Sequence, residues 1–166
     1  ADGVDNIWSL DLKSGKKRWD YRTKVAPLTL ASDGKKIYFN DSERIQAVDL
    51  DIGKKVFETE EMPIAKEFMM SFFGATLVIH DDVILFAGGE KLHQAWAGWG
   101  LGKEQGQDTM HAFDANTGEK LWSAPHPYGG YQSPEDLIVA QGLVWVADTA
   151  VGGHGGAWKG HHVRTG

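Results

Sequence analysis

The sequence predicts an all-β chain assembled from repeated antiparallel hairpins, and three observations predict it. The first is the stretch from His111 to Trp122, which reads as two short strands around a tight turn. Met110, Ala112 and Leu121 alternate with more polar positions, as half-buried strands require. Within the turn, Asp114 can accept backbone N–H bonds and Gly118 permits a positive φ without a Cβ clash. The second is recurrence. An aspartate, a glycine four residues on and an aromatic four further appear as Asp11/Gly15/Trp19, Asp49/Gly53/Phe57 and Asp114/Gly118/Trp122. A fourth copy begins at His161 and stops at its glycine, Gly166, with His162 where aspartate is expected. The third is apolar surface: a lone hairpin cannot bury a tryptophan, so these units need neighbours.

The run Ala112-x-Asp114-x-x-Thr117-Gly118-x-x-x-Trp122 resembles the tryptophan-docking motif of the pyrroloquinoline-quinone-type (PQQ-like) β-propeller repeats. The resemblance covers nearly the whole chain. It implies four-stranded antiparallel blades, with the aromatic at Trp122, and likewise Trp19 and Phe57, packed between adjacent blades. Propellers close with about 4–8 blades, and this chain supplies fewer. Residues 7–19 give the outer strands of one blade, 25–57 a full blade, 75–122 a full blade with a long inserted loop, and 136–166 a truncated blade. The expectation is a segment of a larger propeller whose remaining blades, in this chain or another, complete it. Such a segment is expected to be poorly stable alone, because unpaired blades leave edges and inter-blade apolar surface open.

The motif residues are packing residues, so the resemblance specifies fold and not function. Its family includes quinoprotein dehydrogenases, the propeller lipoprotein of outer-membrane protein assembly, and many other bacterial propellers. It implies a bacterial protein of the periplasm or cell envelope. For a quinoprotein oxidoreductase it further implies bound pyrroloquinoline quinone, a calcium ion held by Glu, Asn and Asp, a catalytic Asp and, in many members, an adjacent-cysteine pair. This chain has no cysteine, and no residue matches the calcium ligands or the catalytic Asp.

Taken in order, Val25 to Ala31 is expected as an inner strand and Ser32 to Lys35 as a tight turn. Lys36 to Asn40, Arg44 to Leu50 and Lys54 to Phe57 complete that blade. Ala75 to Ile79 and Val83 to Ala87 are continuous apolar strands around His80-Asp81-Asp82, as expected near a buried centre. Asp136 to Ala140 and Leu143 to Ala147 follow around Gln141-Gly142. The net charge of −6 argues against a nucleic-acid partner, which requires a basic patch. Lysines at Lys16, Lys17, Lys35, Lys36, Lys54 and Lys55 fall at turns, where they keep sheet edges solvated. No apolar run approaches membrane-spanning length.

Turns between the first and second strands of a blade, and between the third and fourth, are minimal. The elaborated loops are all of the other kind: 59–74, 88–108, 123–135 and 151–160. Long loops cost entropy to order and tend to persist where they bind something. The decorated face is therefore the expected ligand face, for a glycan, small molecule or protein. It collects His93, Trp96, Trp99, His126, Tyr128, Tyr131, His154, Trp158 and His161 as ligand-binding candidates. Each taken singly is more often rim packing than a ligand contact. His154, His161 and His162 make a weak metal set. Adjacent residues on a regular strand point to opposite faces, which separates His161 from His162. Gly88-Gly89 and Gly152-Gly153 lack the Lys-Ser/Thr of a phosphate loop, and no nucleophile elbow is present. His111, His80, Asp81/Asp82 and Glu60/Glu61 read as structural or solvated positions.

Overall fold

The computed structural model describes residues 6–64, 75–88, 108–126, 137–149 and 156–166. Four antiparallel sheets follow one another along the chain. The first is β1 (Asn6–Leu10) with β2 (Lys17–Arg22). The second contains β3 (Ala31–Ser32), β4 (Lys36–Asn40), β5 (Arg44–Asp49) and β6 (Lys55–Glu61), in that order. The third contains β7 (Thr76–His80), β8 (Val83–Ala87), β9 (Asp108–Asp114) and β10 (Lys120–His126). The fourth contains β11 (Ile138–Ala140), β12 (Leu143–Thr149) and β13 (Gly156–His162). Strand order equals chain order in every sheet, so each is a simple meander, the blade of a propeller.

The core lies between the sheets. Ile7, Trp19 and Tyr21 of the first sheet meet Ile37, Phe39 and Val48 of the second. Tyr38, Ile45 and Ala47 of the second sheet meet Leu77, Ile84, Phe86 and Phe113 of the third. Val83, Leu85, Met110 and Ala112 of the third meet Val144, Val146 and Val163 of the fourth. Successive side chains on a strand face opposite ways, so the middle strands serve two interfaces at once. This corrects the expected alternation on β9. His111 and Phe113 are buried as well as Met110 and Ala112, because blades cover both faces.

The expected inner strand Val25 to Ala31 is also cut back, to Ala31–Ser32. Pro27 has no N–H to give a ladder, and Leu28 sits at φ 64°. The segment turns instead, with the Thr29 hydroxyl donating to the Ala26 carbonyl at 2.8 Å and Ala26 N–H to Asn40 at 2.8 Å. β6 runs longer than expected, to Glu61, and β11 begins at Ile138.

One contact repeats at every junction. A Cβ built on Gly53 would lie 2.6 Å from the Trp19 ring, and one on Gly118 would lie 2.6 Å from the Phe57 ring. On Gly166 it would lie 3.3 Å from the Trp122 ring. Each aromatic on a fourth strand thus lies flat on the turn glycine of the next blade. Those glycines also hold left-handed backbone, φ 68°, 79° and 88°.

Gly53→Ala is expected to lose stability twice over, by roughly 1–2 kcal/mol for the left-handed conformation and by about 1–3 kcal/mol for overpacking the ring. Gly34→Ala has a similar φ of 86° but nothing within 4 Å, and is expected to show the first loss alone. Urea denaturation of the two variants checks this; equal losses would remove the ring contact from the account.

Candidate functional site

The clearest built site in the described residues is the junction between blades. In each repeat, a turn aspartate first organises its own hairpin. The Asp11 carboxylate accepts from Ser14 N–H at 2.8 Å, Asp49 from Asp51 N–H at 2.8 Å, and Asp114 from Asn116 N–H at 2.8 Å. In the fourth turn, His162 takes this position: its Nδ1 accepts from Arg164 N–H at 3.2 Å. The Nδ1 tautomer must therefore be bare, with the proton on Nε2.

The residue after that aspartate then offers its carbonyl to the preceding blade. Trp19 Nε1–H donates to Leu50 at 3.0 Å, and Trp122 Nε1–H donates to Val163 at 3.0 Å. The middle repeat carries Phe57, which has no N–H. There the corresponding carbonyl, Ala115, receives the Tyr38 hydroxyl at 3.1 Å, in a bond shared with the Asp33 carboxylate at 2.8 Å. Tyr38 belongs to the same blade as Phe57, and the two rings are 6.3 Å apart. A tyrosine from the second strand thus supplies the donor that the fourth-strand aromatic lacks.

Charge follows the same seams. Arg164 pairs with Asp114 at 2.7 Å, Lys120 with Glu60 at 2.6 Å, and Arg18 with Asp51 at 3.5 Å, each across a junction. Glu61 pairs with Arg44 at 2.9 Å. These pairs are largely exposed and orient more than they stabilise. The Asn116 backbone N–H lowers the Asp114 carboxyl against partial burial, with help from Arg164. At Asp33, burial pushes upward, but the Lys36 and Lys35 N–H groups, the Tyr38 hydroxyl and the Lys36 ammonium outweigh it and bring the carboxyl from 3.8 to about 2. Burial and the neighbouring Asp33 raise the Tyr38 phenol.

Of the residues expected on a ligand face, four lie among those described or beside them. His126 closes β10 opposite Asp108 and is buried, at 1% exposure. His161 stacks on Trp122, with centroids 6.0 Å apart and planes at 21°. His162 pairs with Leu143 in the strand register, on the face opposite to His161. Trp158 is 60% exposed and pairs with Ala147, on the same sheet face as His162. That face points away from the third sheet. His93, Trp96, Trp99, Tyr128, Tyr131 and His154 lie outside the described residues. The described start of loop 59–74 is pinned: Met62 N–H donates to Glu43 at 2.6 Å, Ile64 N–H to Ser42 at 3.0 Å, and Asn40 Nδ2 to the Met62 carbonyl at 2.9 Å. Among the described residues, no group of three or more His, Cys, Asp or Glu is arranged to hold a metal ion.

Sequence reasoning found the repeat aspartates, glycines and aromatics. It missed Tyr38 and the carbonyls of Leu50, Ala115 and Val163. A signal was present: Phe57 in a frame otherwise ending in tryptophan announces a missing donor.

Among solved structures, a europium-containing methanol dehydrogenase matches with a TM-score of 0.50 at 18% identity, over 79% of this chain and 23% of that one. A quinohemoprotein alcohol dehydrogenase from Comamonas testosteroni matches with a TM-score of 0.50 at 18% identity, over 74% of this chain and 18% of that one. The fold is that of a PQQ-like β-propeller. BamB from Moraxella catarrhalis also matches the propeller, with a TM-score of 0.40 at 18% identity, over 87% of this chain and 53% of that one. The chain spans about a fifth of the length of the two dehydrogenases. No family model matches the sequence, and no curated protein matches it.

Tyr38→Phe is expected to cost this propeller about 1–2 kcal/mol, by stripping a donor from the buried Ala115 carbonyl. Phe57→Trp in the Tyr38→Phe background is expected to recover part of that, because an indole N–H can take over. The depressed Asp33 carboxyl contributes stability above its ordinary value near 3.8, lost as the pH falls through about 2. Tyr38→Phe removes one of the donors that depress it, so the variant loses less stability on acidification. Chemical denaturation at neutral and acid pH checks both. A Phe57→Trp change equally harmful in either background would contradict the shared-carbonyl arrangement.

Proposed function

We propose that this segment is a non-catalytic binding or scaffold part of a PQQ-like propeller, in an exported bacterial protein of the periplasm or cell envelope. Its ligand face is assigned to loops 59–74, 88–108, 123–135 and 151–160, which are also the positions of the ligand candidates. The observation that supports this reading is the use made of the polar groups. Asp11, Asp49, Asp114, His162, Tyr38 and the indoles of Trp19 and Trp122 are engaged in turns and junctions. Residues so engaged hold blades together, and a reaction would need others. The partners are the remaining blades of the propeller and a glycan, small-molecule or protein ligand; the acidic balance speaks against nucleic acid.

A second reading has one observation in its favour: the two structural neighbours with a TM-score of 0.50 are alcohol-oxidising dehydrogenases. On that reading the propeller would bind pyrroloquinoline quinone with calcium. The described residues do not fit that group. Their carboxylates are occupied by turn N–H groups or dispersed in surface ion pairs, and no set converges on one point.

The natively purified protein is expected to show no quinone absorbance, and its ultraviolet–visible spectrum is expected to ignore added pyrroloquinoline quinone and calcium. A bound chromophore with stoichiometric calcium, together with dye-linked oxidation of an alcohol or sugar, would overturn the scaffold reading and establish the oxidoreductase one.

A further inference from the structure

The first blade repeats the docking surface of the other three and leaves it open. In the second, third and fourth blades, the turn glycine lies under an aromatic ring of the preceding blade. At Gly15, φ 68°, nothing lies within 4 Å of a built Cβ. The residue after the turn aspartate is packed against the preceding blade in those three: Leu50, Ala115 and Val163 all belong to inter-blade cores. Its counterpart Leu12 is 100% exposed. One residue before the aspartate, Val48 and Phe113 are fully buried and His161 is stacked on Trp122. Their counterpart Leu10 is 51% exposed, and Trp8, on the same face of β1, is 63% exposed. No donor among the described residues sits on the Leu12 carbonyl, where the equivalent Leu50 and Val163 carbonyls accept an indole N–H.

We propose that Trp8, Leu10, Leu12 and Gly15 form a docking surface for a further β-blade, whose fourth strand carries a tryptophan that lies on Gly15 and donates its N–H to the Leu12 carbonyl. The occupant follows from continuity with an interface present three times in the same chain. The turn is already organised for it: the Asp11 carboxylate accepts from both the N–H and the hydroxyl of Ser14, at 2.8 and 2.7 Å. Nothing has to be rebuilt on docking. Tryptophan is favoured over phenylalanine because a phenyl ring leaves the Leu12 carbonyl without a donor once water is displaced. The phenylalanine junction in this chain needs Tyr38 for that purpose. This surface serves a catalytic and a non-catalytic propeller alike, so the assignment stands apart from the reading of function above.

The test uses the whole 166-residue chain, labelled with nitrogen-15, and a cyclised hairpin peptide of residues 108–126, which presents Trp122 beside Met110, Ala112 and Ala124. Titration is expected to shift the amides from Leu10 to Lys16, with the Gly15 resonances moving upfield under the indole ring. A Trp122→Phe hairpin is expected to bind about 2–10-fold more weakly, the worth of one net hydrogen bond. Gly15→Asn keeps a residue that tolerates left-handed backbone while placing a side chain on the socket, and is expected to abolish the shifts without unfolding the chain. Should Gly15→Asn unfold, Leu12→Arg, which leaves the turn backbone untouched, is expected to abolish them instead. Shifts that survive the blocking substitution, a Trp122→Ala hairpin that binds as well, or no shift at millimolar hairpin would overturn the proposal. Concentration-dependent shifts at Gly15 without any peptide would give the surface to a second copy of the chain and equally overturn it.

Discussion

An aromatic ring lying flat on a glycine is the contact on which the arrangement of blades depends. It fixes two things at once. The glycine must lack a side chain so that the ring can approach, and its left-handed backbone closes the turn that presents the carbonyl beneath. The ring must come from the outermost strand of the neighbouring sheet, because inner strands reach the core and not the turn. One geometric requirement thus links the end of one blade to the hairpin of the next, and its repetition orders the chain. The apolar cores between the sheets supply most of the burial, but they are non-directional; the ring, the glycine and the carbonyl set register.

The middle junction shows what is constrained and what is free. Trp19 and Trp122 each satisfy a carbonyl and cover a glycine with one side chain. Phe57 covers the glycine, and Tyr38 satisfies the carbonyl. The two tasks are separable, provided both are done, because a buried carbonyl without a donor costs more than a hydrogen bond gains. The fourth turn makes the same point about the aspartate. His162 caps it through a ring nitrogen, so the turn needs an acceptor at that position and not a carboxylate in particular.

Much of this was legible in the sequence because it is local. The Asp–Gly–aromatic spacing, the minimal turns and the strands β4, β5, β8, β9 and β12 all follow from residues a few positions apart. What was not legible depends on neighbours in space. The alternation read from Met110 and Ala112 missed His111 and Phe113 because a blade covers each face of β9. The inner strand before Ala31 was overextended because the disruption comes from Pro27 and Leu28 acting on backbone pairing. Tyr38 was invisible because its partner, Ala115, is 77 positions away. Of the expected ligand-face residues, His126 and His161 are engaged in packing. Trp158 stands on an open sheet face, and the rest fall outside the described residues.

The account makes the two docked indoles different in kind from the others of the chain. Hydrogen exchange of the tryptophan Nε1 protons, followed by nuclear magnetic resonance, tests that most directly. The indole N–H groups of Trp19 and Trp122 are expected to be protected, while that of the exposed Trp8 exchanges at the rate of a free indole. Uniformly fast exchange at Trp19, Trp122 and Trp8 would contradict the claim that ring-on-glycine docking holds the blades together.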